Sequence, residues 1–299
     1  MNFTKNFKYF AILSAVIILA GIVMACTVGA NIGVDFSGGT LFTLEMGQDF
    51  DVRDVTDALS TNGITDAPVV KSGTTGSAKT QAVIRLKAFA DDVQENETRQ
   101  AIVDQLKEKY PNVEVAGVDR VGAVASAELI RNAVFSVLIA SVLILIYIWI
   151  RFELMSGVAA VIALLHDVFI MISLTIIFRV QINSSFIAAV LTIVGYSINN
   201  TIVIFDRVRE NTKTMGKANK GVADDDIVNA SIRGTLTRSI NTSITTLVTI
   251  VALYVLGVDS IREFALPIII GLVAGTYSSV FLAAPLWGRL HRLRTKKSK

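Results

Sequence analysis

The stretch TIVGYSINNTIVIFDRVREN, Thr192 to Asn211, decides how the chain is read. It opens as an apolar helix, carries the amide pair Asn199-Asn200 part-way along, and ends in Asp206-Arg207 and Arg209-Glu210. A helix in hydrocarbon satisfies its own backbone, but a polar side chain there needs a partner or a function. Helical spacing sets Asn199 above Asp206 and Asn200 above Arg207, so polarity runs along adjoining faces. Two readings stay open: a polar relay in a transporter, or amides that bond neighbouring helices.

The composition around that stretch indicates a membrane protein. The 299 residues are 52% hydrophobic and 18% charged, with a mean hydropathy of +0.57, whereas soluble domains carry about 25% charged residues. The single cysteine, Cys26, excludes an internal disulfide, and two histidines, His166 and His291, exclude a multi-histidine metal site. Residues 31–125 hold fifteen acids and nine bases, and the remainder ten acids and nineteen bases. That division suits an acidic outer domain with basic inner loops. The bases flank apolar spans rather than forming a folded basic face, which argues against nucleic-acid binding.

Tyr9–Val28 is long enough for one transmembrane helix. No small-residue cleavage site ends it, and Met24 is too bulky for a lipidation box at Cys26, so an uncleaved first span is expected. Asn31–Thr40 (NIGVDFSGGT) reads as a turn, because Gly33, Gly38 and Gly39 open conformations closed to other residues. Asp35 is a functional carboxylate or a turn cap, and the spacing favours the cap.

Residues 41–122 read as a compact domain. Strands are expected at Leu41–Met46, Ala67–Lys71, Gln81–Lys87 and Val113–Val118, with helices at Asp51–Asn62 and Glu97–Tyr110 and a flexible turn SGTTGSAK. The order βαββαβ is the ferredoxin-like split βαβ arrangement. No catalytic constellation is legible in it, which suits a binding or mechanical role.

Five further spans follow, at Asn132–Ile150, Ser156–Phe178, Ser185–Phe205, Ile240–Leu256 and Phe264–Leu286. Only Arg207–Thr237 is a long connection; in it Asp224–Asp226 reads as the start of a surface helix, since a calcium loop needs alternating spacing. With six spans, Lys5, Lys8, Arg151, the long basic loop and the tail from Arg289 share one side. The 31–125 domain, Arg179 and Arg262 take the other. The positive-inside rule then puts both termini in the cytoplasm. The expected fold is a polytopic α-helical membrane protein with six transmembrane helices and a small α+β domain inserted between the first and second. Its parts are residues 1–30, 31–125, 126–288 with the cytoplasmic loop 207–237, and the basic tail 289–299.

Other polar groups break the apolar runs. His166-Asp167 lies about ten residues into the third span, and an ionisable pair at that depth is a functional candidate; the alternative is that Asp167 bonds a neighbouring helix or faces an inner cavity. The fifth span opens with Arg238, Asn241, Ser243, Thr245 and Thr246; Arg238 snorkels or pairs with a carboxylate of the fourth span, Asp206 lying at similar depth. Gly271, Gly275 and Ser279 form a close-packing face of the sixth span.

Taken together, GVDFSGGT after the first span, HD in the third, GYSINNTIVIFDRVREN in the fourth, RSINTSITTL in the fifth and GTYSSVFLAAPLW in the sixth resemble the SecF family. The resemblance covers essentially the whole chain. It implies a six-span domain similar to half of an RND-type transporter, with a small extracytoplasmic domain carrying Asp35, Gly38 and Gly39 in its entry motif. It implies residence in the bacterial cytoplasmic membrane and no cofactor. The implied partners are SecD, the SecYEG channel, YajC, YidC and unfolded preproteins, whose late translocation the proton or sodium gradient promotes. It also implies an ion-coupling set of Asn200, Asn199, Asp206, Arg238, Asp167 and His166.

One departure matters. Where the family's fourth-span motif carries an acid, this chain has Asn200, and an amide takes up no proton near neutral pH. Three explanations remain: an engineered acid-to-amide change, coupling through SecD's acids, Asp167 or Asp206, or sodium in place of the proton. The rival readings are a half-size RND-like exporter of small molecules or lipids, disfavoured by the small outer domain, and an intramembrane enzyme. For the latter, Ser197 is not followed by the glycine a rhomboid-like site needs; nor is there a GxxxxGK[ST] loop for ATP.

Overall fold

The computed structural model describes residues 2–65, 67–72, 80–87, 89, 92–218 and 223–297. In chain order the elements are α1 (Phe3–Thr27), α2 (Val34–Ser37), β1 (Gly39–Glu45), α3 (Val52–Thr61), β2 (Val69–Ser72), β3 (Gln81–Leu86), α4 (Asp92–Lys107) and β4 (Glu114–Val121). Then follow α5 (Ala123–Arg151), α6 (Leu154–Ile177), α7 (Ser184–Ala218), α8 (Asp224–Leu256), α9 (Asp259–Ser278), a π turn (Ser279–Ala283) and α10 (Ala284–Lys297). They form two units, one of Met1–Asn31, Phe135–Tyr254 and Glu263–Lys299, the other of Ile32–Val134 and Val255–Arg262.

In the smaller unit the sheet order is β2-β3-β1-β4, and every neighbouring pair is antiparallel. That is the split βαβ arrangement expected from the element order. Alternation along β1 and β3 sends Phe42, Leu44, Ala82, Ile84 and Leu86 to one face, where they pack with Val55 and Leu59 of α3 and Ile102 and Leu106 of α4. Asp51 caps α3, its carboxylate accepting from the Arg53 amide at 2.9 Å. Most boundaries shift by one or two residues, and three stretches differ more. Val34–Ser37 forms a helical turn inside the glycine stretch, closed by Gly38 and Gly39 at φ of 71° and 125°. α4 starts at Asp92, because its polar first turns show no apolar period. β4 runs on to Val121, paired with Gly39 of β1. The SGTTGSAK turn lies largely outside the described residues.

Among the described residues, six helical stretches are long and apolar enough to cross a membrane, the last running through the π turn as Ile261–Leu293. The long connection Arg207–Thr237 is not a loop: α7 continues to Ala218 and α8 begins at Asp224. Hydropathy marks where hydrocarbon ends, whereas a helix continues into water wherever its residues favour it. Arg207 and Glu210 pair at 2.5 Å on the α7 extension. The Asp224–Asp226 run opens α8, complementing its N-terminal dipole.

α6, α7 and α9 form the buried centre of the larger unit, while α1, α5 and α8 turn many apolar side chains outward. Without a hydrophobic drive in lipid, small residues that let backbones approach decide the packing. A Cβ on Gly271 would sit 2.5 Å from Ile193, and one on Gly275 would sit 3.0 Å from Ser197. One turn further Thr201 and Ser279 meet at 3.0 Å. The partners advance together in steps of four residues, so α7 and α9 run parallel with Gly271, Gly275 and Ser279 as the contact face. The first and third spans repeat the device: Gly21 packs against Ser173 and Ser14 bonds His166, both seven residues apart.

The N-terminus is tied down by Asn229 of α8. Its side-chain oxygen accepts from the Phe3 amide at 2.8 Å, and its amide donates to Asn2 and Thr4. Nearby, Asp224 meets His291 at 3.2 Å and Asp225 meets Arg292 at 2.8 Å. The acidic run therefore both starts α8 and holds α10.

Candidate functional site: a buried polar network

Asp167 of α6 is fully buried (0% exposed). A lone carboxylate there would be costly, and the fold surrounds it with donors. One oxygen accepts from the hydroxyls of Ser197 on α7 and of Ser278 on α9, the latter at 2.8 Å. The other lies 2.9 Å from His166 Nδ1. The opposite ring nitrogen, His166 Nε2, lies 2.7 Å from the Ser14 hydroxyl of α1. Ser14 in turn meets the Tyr277 hydroxyl at 2.6 Å, and both hydroxyls can donate to the Phe10 carbonyl, at 3.0 Å and 2.6 Å. The network therefore joins four helices around one carboxylate and one imidazole.

Its donor arithmetic is adaptable. With a neutral ring, Nδ1–H donates to Asp167 and Nε2 accepts from Ser14. With a protonated ring, Nε2–H donates to Ser14, whose own proton turns to Phe10. Each state leaves every group bonded.

Asn200 sits one turn beyond Ser197 on the same face of α7 and is 5% exposed. Its amide donates to Ser243 of α8 at 3.3 Å, and Ser243 also accepts from Thr276 of α9 at 2.7 Å. Residues 197, 200 and 201 thus bond α6, α8 and the π turn after α9 respectively. This is an interhelical bond of the kind the alternative reading of the amides foresaw.

The remaining residues of the expected set do not join the network. Asn199 is exposed, because adjacent helical residues point about 100° apart. Asp206 is largely exposed and pairs with Arg151 of α5 at 3.6 Å rather than with Arg238. Arg238 is exposed and shares a polar cleft of about 500 Å³ with Arg151, Asp206, Arg207 and Thr235. Asp35 lies in α2, in the smaller unit. Sequence reasoning did not select Ser14, Ser197, Tyr277 or Ser278 as members. The available signal was weak: hydroxyls recurring on the inward faces of spans.

Comparisons with known proteins agree with this architecture. Residues 101–293 match the family described as protein export membrane protein SecD/SecF, C-terminal. The protein translocase subunit SecF of Sebaldella termitidis is 36% identical over 98% of this chain and 93% of its own length. SecDF of Bacillus subtilis is 38% identical over 96% of this chain but 37% of its own length. The crystal structure of SecDF from Thermus thermophilus, titled a translocon-associated membrane protein, superposes with a TM-score of 0.83 at 32% identity. It covers 100% of this chain and 39% of that one, so the chain spans about two-fifths of the longer SecDF proteins. On sequence and on fold, the chain belongs to the SecD/SecF family of protein-export membrane proteins.

Proposed function

We propose that the chain is the SecF-type half of a protein-export complex, acting with a SecD-type partner beside the SecYEG channel and using an ion gradient to promote late translocation of preproteins. Full-length similarity to a SecF subunit supports the export role, and the longer SecDF relatives, in which such a region is one part, support the SecD pairing. The basic side of the topology supports cytoplasmic termini, an extracytoplasmic smaller unit and a place in the bacterial cytoplasmic membrane. The chain works as a transport subunit rather than as an enzyme.

The coupling proton is carried at Asp167–His166. The observation behind this is the buried carboxylate bonded by hydroxyls from two other helices and by a histidine whose far nitrogen has a reversible partner. Because Ser197 and Ser278 sit on the parallel pair α7 and α9, a change of charge at Asp167 is felt by the packing face between them. Asn200 keeps the position of the family's acid as a hydrogen-bond donor to α8.

The test is Asp167→Asn, expressed with its own SecD in cells depleted of the native complex. The amide retains the shape and one acceptor oxygen, turns the other position into a donor, and removes titration. Expected is complex assembly at the usual level, with gradient-dependent export reduced by at least tenfold, about 1.4 kcal/mol or more in coupling. Export equal to that of the unmodified chain would refute the assignment of the proton to this site.

A further inference from the structure

The ends of α1, α8 and α10 enclose a second site, outside the buried network. A cleft of about 490 Å³ is lined by Thr4, Lys5, Asp225, Arg289, Arg292 and Leu293. Three of these are cationic and one anionic, and the anion is already bound by Arg292 at 2.8 Å. Arg289 is half-buried and stands over the Phe7 ring at 3.9 Å, which fixes its guanidinium without neutralising it. Lys5 is exposed at the rim and has no carboxylate partner among the described residues. The cleft therefore holds a surplus of two positive charges, one of them pre-oriented, at helix ends where a span leaves the hydrocarbon.

We propose that this cleft binds the phosphate of an anionic phospholipid. The guanidinium of Arg289, with its planar fork of donors, takes the phosphate oxygens, and Lys5 supplies the second charge from α1. Arg292 is held to the side by Asp225. A lipid is favoured over a soluble phosphate because Leu293 gives an apolar edge beside the charges, and because both cations extend from membrane-spanning helices, at the depth where headgroups lie. Bound there, the lipid bridges the first and last spans and braces the α1–α10 contact.

The experiment uses the full chain, purified in detergent and washed with phosphatidylcholine or phosphatidylglycerol. Phosphatidylglycerol retention is read by mass spectrometry and thermal protection by the unfolding midpoint. Expected is selective retention of phosphatidylglycerol that falls roughly tenfold or more in the double variant Lys5→Gln, Arg289→Gln. The pair Arg209→Gln, Lys213→Gln removes two cations from the α7 extension, outside the cleft, and is expected to retain lipid as before. Equal loss in both variants would show general surface attraction and overturn the site. Equal protection by inorganic phosphate, without preference between vesicles of the two lipids, would make it a soluble-anion site and overturn the lipid assignment. If the double variant is unstable, the single variant Lys5→Gln replaces it and must lower phosphatidylglycerol retention relative to the α7 control for the proposal to stand.

Discussion

His166 Nε2 and the Ser14 hydroxyl lie 2.7 Å apart although 152 residues separate them in the chain. This contact makes the first span part of the ionisable centre. Ser14 has one proton and three neighbours that can accept it, the His166 ring, the Tyr277 hydroxyl and the Phe10 carbonyl.

Ser14→Ala removes that hydroxyl. His166 Nε2 then loses its partner while Asp167 keeps its two serines, so the neutral tautomer is left with a buried unpaired acceptor. A loss of about 1–2 kcal/mol in stability is expected, with a larger proportional loss in gradient-driven export. Ser14→Thr, which restores a hydroxyl, is expected to recover export. Thermal unfolding and export assays on the three proteins check this; full export by Ser14→Ala refutes it.

Asn200→Asp places a carboxylate one turn from Ser197, where Ser243 is the present partner. If the proposed Asp167–His166 site carries the coupling proton, the added acid is dispensable, and export within about twofold of the unmodified chain is expected. A stability loss of about 1–3 kcal/mol accompanies it, since a buried acid gains no cationic partner there among the described residues. Export that rises tenfold with Asn200→Asp would move the coupling site to α7.

Helix packing gives a graded series. Gly21→Ala and Gly271→Ala each bring a methyl within 2.4–2.5 Å of Ser173 or Ile193, and both are expected to destabilise by about 1–3 kcal/mol. Gly195 meets nothing within 4 Å, and Gly195→Ala is expected to be neutral or slightly stabilising. Unfolding midpoints of the three variants in detergent test the order; a Gly195 effect as large as the others would contradict the packing argument.

The smaller unit carries its own pH signature. Asp54 accepts from Lys109 at 2.6 Å and from Tyr110, and these hydrogen bonds hold its carboxyl below its ordinary value of 3.8. The same bond holds Lys109 above 10.5. A depressed acid adds stability that is complete above its unfolded value and fades as pH falls through the folded one. A raised base adds stability that is complete below 10.5 and fades as pH rises through its folded value. Hydrogen exchange over residues 98–110, corrected for intrinsic rate, is expected to quicken below about pH 4 in the unmodified chain. In Asp54→Asn it is expected to be faster at neutral pH and to change less with acid. An unchanged acid response in Asp54→Asn would contradict this.

The six spans and the four strands could be read from the sequence because each rests on a local period: about twenty apolar residues per span, alternation per strand. The ends of α7 and α8 could not. Phe205 and Ile240 end the apolar runs, while Arg207–Ala218 and Asp224–Ser239 stay helical through ion pairs and propensity. The site was half legible. Depth alone singled out Asp167, but a serine in a span carries no mark of which distant residue it serves, and Ser14 and Ser278 reach Asp167 or His166 across 111 to 152 positions. Asn199 and Asn200 were indistinguishable until helix rotation put one outward and the other inward. Asp206 and Arg238 shared a depth but not a bearing, and Arg151 intervened.

The π turn at Ser279–Ala283 makes the sixth span a crank. It holds one residue more than an α-turn would, which rotates everything after it by about 100°. Above the turn the helix shows Gly271 and Gly275 to α7; below it, Gly288 and His291 address α8. Deleting one residue within 279–283 would leave composition and hydropathy almost untouched, yet swing Arg289 off Phe7 and Arg292 off Asp225. The number of residues in those five positions therefore sets which face α10 turns to α8.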